Sequence, residues 1–199
     1  GPWVGVLGRL AGNPDISRRP LQNGEVTELL SRWVIFAADS SGHADVSTSS
    51  PEAEPTVLTV TAPAGTLPGG SHALRITGRQ LEKQGNLVTI AEGATIRGLD
   101  EAGKLDPTGL SLDAGSMVVE LDPATNTIKR LRAEKGGDLD TKDLRAKGET
   151  MVLEAESGWA TVSAKPGERV LLWMPGLMPA AVHSAKANYR TREFRAWRA

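Results

Sequence analysis

The chain has 199 residues, a formal net charge of −1 and no cysteine. Disulfides, thiolate catalysis and cysteine-held metals are excluded, and the near-neutral charge argues against duplex nucleic acid as a partner. Aromatic residues make up only 4%, so any core is built mainly from Val, Leu, Ile and Ala, and no stretch approaches the roughly 20 apolar residues of a membrane-spanning helix.

Gly1-Pro2 has the form of a scar left by protease cleavage, which leaves room for a signal or membrane anchor upstream. Residues 3–24, rich in Gly, Pro, Asn and Arg, read as an irregular lead-in. In the next segment Val26, Leu29, Leu30, Trp33 and Ala37 fit one helical face, whereas Trp33 to Ala37 alone suit a buried strand. The reading adopted is a strand from about Arg32 with a helical turn before it. Residues 39–56, DSSGHADVSTSSPEAEPT, lack periodicity and are expected to form a long exposed loop or linker.

From Val57 to Trp173 the pattern becomes a series of short alternating segments, each closed by Gly, Pro, Asn or Asp. Leu58 and Val60 open it, followed by Leu74 and Ile76, Val88 and Ile90, and Ile96. Leu110 and Leu112 come next, then Met117, Val119 and Leu121, and then Ile128 to Ala133. Met151 to Ala155, Trp159 to Val162 and Val170 to Trp173 complete the series. The breakers include PAGTLPGG (63–70), AEG (91–93), DPATN (122–126), KGGD (135–138) and KPGE (165–168). Short strands at even spacing, without helical patterns between them, predict an all-β fold: an antiparallel jellyroll or sandwich-like roll. Three regions follow: 1–56 as lead-in and loop, 57–175 as the β domain, and 176–199 as a basic C-terminal tail or short helix.

Residues that carry chemistry are sparse. His43, His72 and His183 are isolated, without the short spacings of metal ligands. Asp138 to Asp143 resembles the start of a calcium loop, with Glu149 at the twelfth position. Lys142 however stands where an oxygen is needed, and Asp143 where the loop needs Gly. The pairs Glu120/Asp122 and Glu154/Glu156 alternate with apolar neighbours and read as a solvated sheet face. No phosphate loop, dinucleotide fingerprint or nucleophile elbow occurs. The reading is that of a non-enzyme without metal or cofactor. In the tail, Lys186, Arg190, Arg192, Arg195 and Arg198 stand against Glu193, with Tyr189, Phe194 and Trp197 interleaved. Such a segment suits single-stranded nucleic acid or an anionic lipid surface. It equally suits a terminal strip that buries its rings and leaves Arg in water. Arg190, Arg192, Arg195 and Arg198 are the candidate partner-binding residues.

Two stretches stand out: LTVTAPAGTLPGGSHALRITGRQ (58–80), a strand ending in A-P-A-G, a Gly turn and a strand reading L-R-I-T-G, and GLSLDAGSMVVELDPATNTIKRLRAE (109–134), an apolar alternation, a D-P-x-T turn and then I-K-R-L-R-A-E. Together they resemble the OstA-like repeat of periplasmic lipopolysaccharide-transport proteins, over about residues 57–155. The resemblance implies a jellyroll open along one edge that holds acyl chains. It also implies a periplasmic or otherwise extracytoplasmic setting and end-to-end pairing of like domains. The lipid-facing candidates are then Leu58, Val60, Leu74, Ile76, Val88, Ile90, Leu110, Leu112, Met117 and Val119. The expected role is to bind or bridge an amphipathic lipid in envelope transport or assembly, with a lipid or an envelope protein as partner. The alternatives are a structural β module pairing through edge strands, or a FecR-like regulatory domain suggested by AKPGERV (164–170). The same residues would also fill a dry sandwich core.

Overall fold

The computed structural model describes residues 3–9, 26–30, 33–38, 44–49, 56–61, 65–125, 127–177 and 180–197. These residues contain strands and no helix, and the strands pair antiparallel, as the even spacing of turns predicts. In chain order they are β1 (Trp3–Arg9), β2 (Val26–Leu30), β3 (Trp33–Ala38), β4 (Ala44–Ser49), β5 (Thr56–Thr61) and β6 (Ala73–Gly78). Next come β7 (Gln80–Gln84), β8 (Leu87–Ile90), β9 (Ala94–Leu99), β10 (Ser111–Leu121), β11 (Ile128–Asp140) and β12 (Arg145–Gly148). The last are β13 (Thr150–Glu154), β14 (Trp159–Ser163), β15 (Val170–Trp173), β16 (Ala180–Val182), β17 (Ser184–Asn188) and β18 (Phe194–Trp197).

The long hairpin β10–β11 explains how one hydrogen-bonded network makes two layers. The first part of β10 pairs with β9 and its last part with β8. The first part of β11 pairs with β13 and its last part with β12. Each long strand thus starts in one layer and ends in the other. The first layer runs β2-β5-β6-β9-β10-β11-β12-β15-β16, and the second runs β1-β3-β4-β7-β8-β10-β11-β13-β14-β17-β18. The pairs β6/β7, β8/β9 and β12/β13 are likewise single passes bent between layers. The network does not close into a barrel.

The bend follows a seam of glycines: Gly78, Gly93, Gly115, Gly136 and Gly148 lie between the two halves of successive passes. Hydrogen bonds continue around it, from Gly93 N to Gly115 O at 2.9 Å and from Gly136 N to Glu149 O at 3.0 Å. Lys135 and Gly136 take φ values of 58° and 89°, opposite a register shift in β10 between Ala114 and Ser116. This is a bulge that turns the strand without ending it. KGGD (135–138), expected to be a breaker, lies inside β11 for this reason. A Cβ on Gly148 would come within 2.5 Å of Val162 Cγ2 and 3.0 Å of Val170 Cγ1, one from each layer.

The structure decides three readings of the ends. Val26–Leu30 is a strand paired with β5, where a helical turn was expected. Ala44–Ser49, inside the expected loop, is a strand between β3 and β7. The tail supplies β16, β17 and β18 rather than a helix. In each case an adjacent strand offers a ladder that local composition does not reveal. Strands β2 and β4 are therefore hydrogen-bonded to the β domain.

Strands β5 and β6 alternate buried and half-buried along their length, as the sequence alternates. Their inward residues merge with those of the second layer, such as Met117, Leu131, Leu153 and Val162, into one contiguous core.

Candidate interaction edge at the C-terminal end

All ten residues expected to face a lipid are buried in this core, at 0–2% exposure. They pack in a contiguous cluster with residues of both layers, so that strand alternation alone accounts for their positions.

Opposite the seam, the turns of the first layer send Leu110, Leu144 and Met174 inward, all buried. Segment 65–71 crosses this rim. Leu67 inserts into the core, Gly69 N donates to Asp143 Oδ2 at 3.3 Å, and Ser71 Oγ accepts from Leu110 N at 3.3 Å. The far end of the segment is held by the β17–β18 turn. Tyr189 Oη donates to Thr66 O at 2.6 Å and lies 3.3 Å from Glu154 O. The Arg190 guanidinium donates to Gly65 O at 3.0 Å, Thr66 O at 3.2 Å and Glu156 O at 2.7 Å, and also to Ala155 O. Burial pushes the Tyr189 hydroxyl up to about 12, although the neighbouring Arg190 charge works the other way. The phenol therefore stays protonated and remains a donor.

Arg190, grouped in sequence with the partner-binding arginines, thus has its guanidinium occupied by main-chain carbonyls. Arg192, at φ 63°, sits in the turn, with its N–H donating to Asn188 O at 2.8 Å. Arg195 lies on β18, and Arg198 lies outside the described residues. The structure brings Arg195 together with Lys186, another residue of the basic tail, and with Trp159 of the β domain. Lys186 Nζ stands 4.5 Å from the Trp159 ring centroid and Arg195 Cζ 5.6 Å from it. The signal for Lys186 and Arg195 was a period-2 match across a tight turn. Trp159 lies a strand away and had no sequence signal.

β18 pairs with β17 and, among the described residues, with no other strand. Asn188 N donates to Glu193 O at 2.8 Å, which marks a hydrogen-bonded pair. Stepping by two along the register makes Lys186/Arg195 and Ser184/Trp197 bonded pairs as well. Phe194 and Ala196 therefore turn their N–H and C=O groups to the free side. Their side chains share a face with buried Ala187 and Ala185, while Arg195 and Trp197 share the outward face with Lys186 and Ser184. Phe194 is 36% exposed and Trp197 46% exposed. An apolar strand with a free edge is a template for another strand.

The remaining polar groups form structural contacts. Glu120 and Glu154 both reach Arg130, at 3.7 and 3.3 Å. Asp122 accepts from Ala124 N and Thr125 N, which lowers its pKa and builds the β10–β11 turn. In the calcium-like stretch, Thr141 Oγ1 accepts from Leu144 N at 2.9 Å and forms an ordinary turn. A hollow of about 300 Å³ lies along the seam, lined by Gly115, Gly136, Gly137 and Gly148 with Asp113, Asp138 and Lys147. Among the described residues no group of three His, Asp or Glu is placed to hold a metal ion.

The fold and this edge define an all-β, two-layer open roll in which, among the described residues, β18 is paired on one side only. No family model and no curated protein matches the chain.

Proposed function

We propose that the chain is a non-catalytic β-sheet interaction module that joins a partner protein by strand addition at β18. One observation carries this reading. The core is closed over all ten inward candidates, while the last strand leaves an apolar residue on each face exposed beside free main-chain groups. Affinity in such a joint comes from main-chain hydrogen bonds and specificity from alternate side chains. The OstA-like resemblance supports an extracytoplasmic setting, as a bridging segment in envelope assembly. Carriage of an amphipathic lipid, the other role it implies, requires the two layers to part and the buried candidates to be exposed.

The test compares the full chain with Ala196→Pro, which removes an N–H from the free side of β18. Extended peptides selected from a displayed library are expected to bind the parent chain and to lose binding to the variant, with unchanged circular dichroism. Peptides that bind both equally would place the joint elsewhere. Saturable uptake of a fluorescent fatty acid, abolished by Ile76→Asp in a variant that still folds, would replace this reading with lipid carriage.

A further inference from the structure

We infer that the strand received by β18 is an acidic one: an extended segment of a partner protein with a carboxylate on its outward face opposite Arg195 and apolar residues on its inward face. This inference rests on the strand-addition reading and specifies the partner's chemistry.

Charged side chains elsewhere in this sheet are set beside opposite charges on neighbouring strands. Like charges directly opposite one another on neighbouring strands repel. Asp113 and Asp138 form such a pair across β10 and β11. Each is matched by a cation on its outer side: Arg97 Nη2 lies 2.9 Å from Asp113 and Lys147 Nζ 3.9 Å from Asp138. Lys147 stands directly opposite Asp138, whereas Arg97, opposite Ser111, reaches Asp113 diagonally. Arg130 is likewise flanked by Glu120 on β10 and Glu154 on β13.

Lys186 and Arg195 are the corresponding like pair at the end of the second layer, directly opposite across β17 and β18. On the β14 side both face the ring of Trp159, which supplies a π face and no charge. The carboxylate near Arg195 is Glu193, two residues before it in the turn that leads into β18, at 3.8 Å between exposed groups. Arg192 adds a further positive charge in the adjoining turn. A strand on the free side of β18 would set a carboxylate next to Arg195, as Lys147 is set next to Asp138 and Glu154 next to Arg130. On the other face Phe194, next to buried Ala187, calls for an apolar neighbour. A nucleic acid or an anionic membrane would satisfy the charge but not the free N–H and C=O groups of Phe194 and Ala196, so the extended acidic segment is favoured.

The probes are short synthetic peptides alternating valine with glutamate, valine with glutamine and valine with lysine, titrated against the full chain at low and moderate salt. The glutamate peptide is expected to bind about threefold tighter than the glutamine peptide and roughly tenfold tighter than the lysine peptide, with the differences shrinking as salt rises. In Arg195→Glu the order of glutamate and lysine peptides is expected to reverse. Equal binding of all three peptides, or an order that Arg195→Glu leaves unchanged, would overturn the inference while leaving strand addition standing. If no peptide binds and the chain forms end-to-end oligomers blocked by Ala196→Pro, the occupant is a second copy and the acidic partner is rejected. If neither occurs, the strand-addition reading itself falls. Tight binding to anionic vesicles or single-stranded DNA that Ala196→Pro leaves intact would also overturn the inference, in favour of a purely electrostatic surface.

Discussion

Gly148 bears no side chain because none fits between Val162 and Val170. Gly148→Ala is expected to destabilise the fold by roughly 1–3 kcal/mol through overpacking, measured as a lower urea midpoint with unchanged m-value. Tyr189 is the only tyrosine in the chain, so its ionisation can be followed alone by tyrosinate absorbance. Its pKa is raised in the folded state, so the native chain holds its proton when the unfolded chain has lost it. The stabilisation is fully present below pH 10, the ordinary tyrosine value, and is lost as pH rises through about 12. The parent chain should therefore show little tyrosinate between pH 10 and 11 and a loss of stability near pH 12. Tyr189→Phe should weaken that alkaline loss. A tyrosinate titration at pH 10 in the folded protein would contradict the burial of the hydroxyl.

At the scale of elements, the rim segment and the β17–β18 turn depend on each other. Arg190 reaches carbonyls of two separate loops, a geometry suited to the planar guanidinium fork and not to an ammonium. Arg190→Ala is expected to cost about 2 kcal/mol and Arg190→Lys to recover little of it. Hydrogen exchange should rise at residues 65–71 and at β18 together in both variants, with β10 and β11 unaffected. Faster exchange confined to the turn would show that the clamp does not secure the rim. This role was hidden in the sequence because Arg190 lies 124 or 125 residues from the carbonyls of the rim segment. In the sequence it resembles any arginine of a basic tail.

For the whole molecule, each core position is shared between two layers that join at the glycine seam. A cavity made in one layer should therefore be felt in both. Ile76→Ala is expected to cost about 2–5 kcal/mol, with a single cooperative denaturant transition reported by both Trp fluorescence and circular dichroism. Separate transitions for the two probes would show that the layers fold independently. Because the roll is not closed, it has edge strands, and among the described residues β18 is unpaired on its outer side, which links the architecture to the proposed strand addition.

Period-2 alternation in segments such as LTVTA and SMVVEL determines strands, because one face must be buried and the other is free to be polar. The ten inward residues were legible for this reason, as was the antiparallel class from the even spacing of turns. DPATN (122–126) was legible as a turn because Asp122 bonds to the backbone two and three residues on. Only tertiary structure decided that glycines at 136 and 137 bend a strand rather than end it, since a bulge and a turn use the same residue. Pairing with β3 and β7 likewise decided that Ala44–Ser49 is a strand. Tertiary structure also separated the arginines, committing Arg190 to main-chain carbonyls and leaving Arg195 on an outward face beside Lys186. Charge and alternation are local properties of a sequence, whereas which strand comes last, and what lies beside it, depends on contacts between residues far apart in the chain.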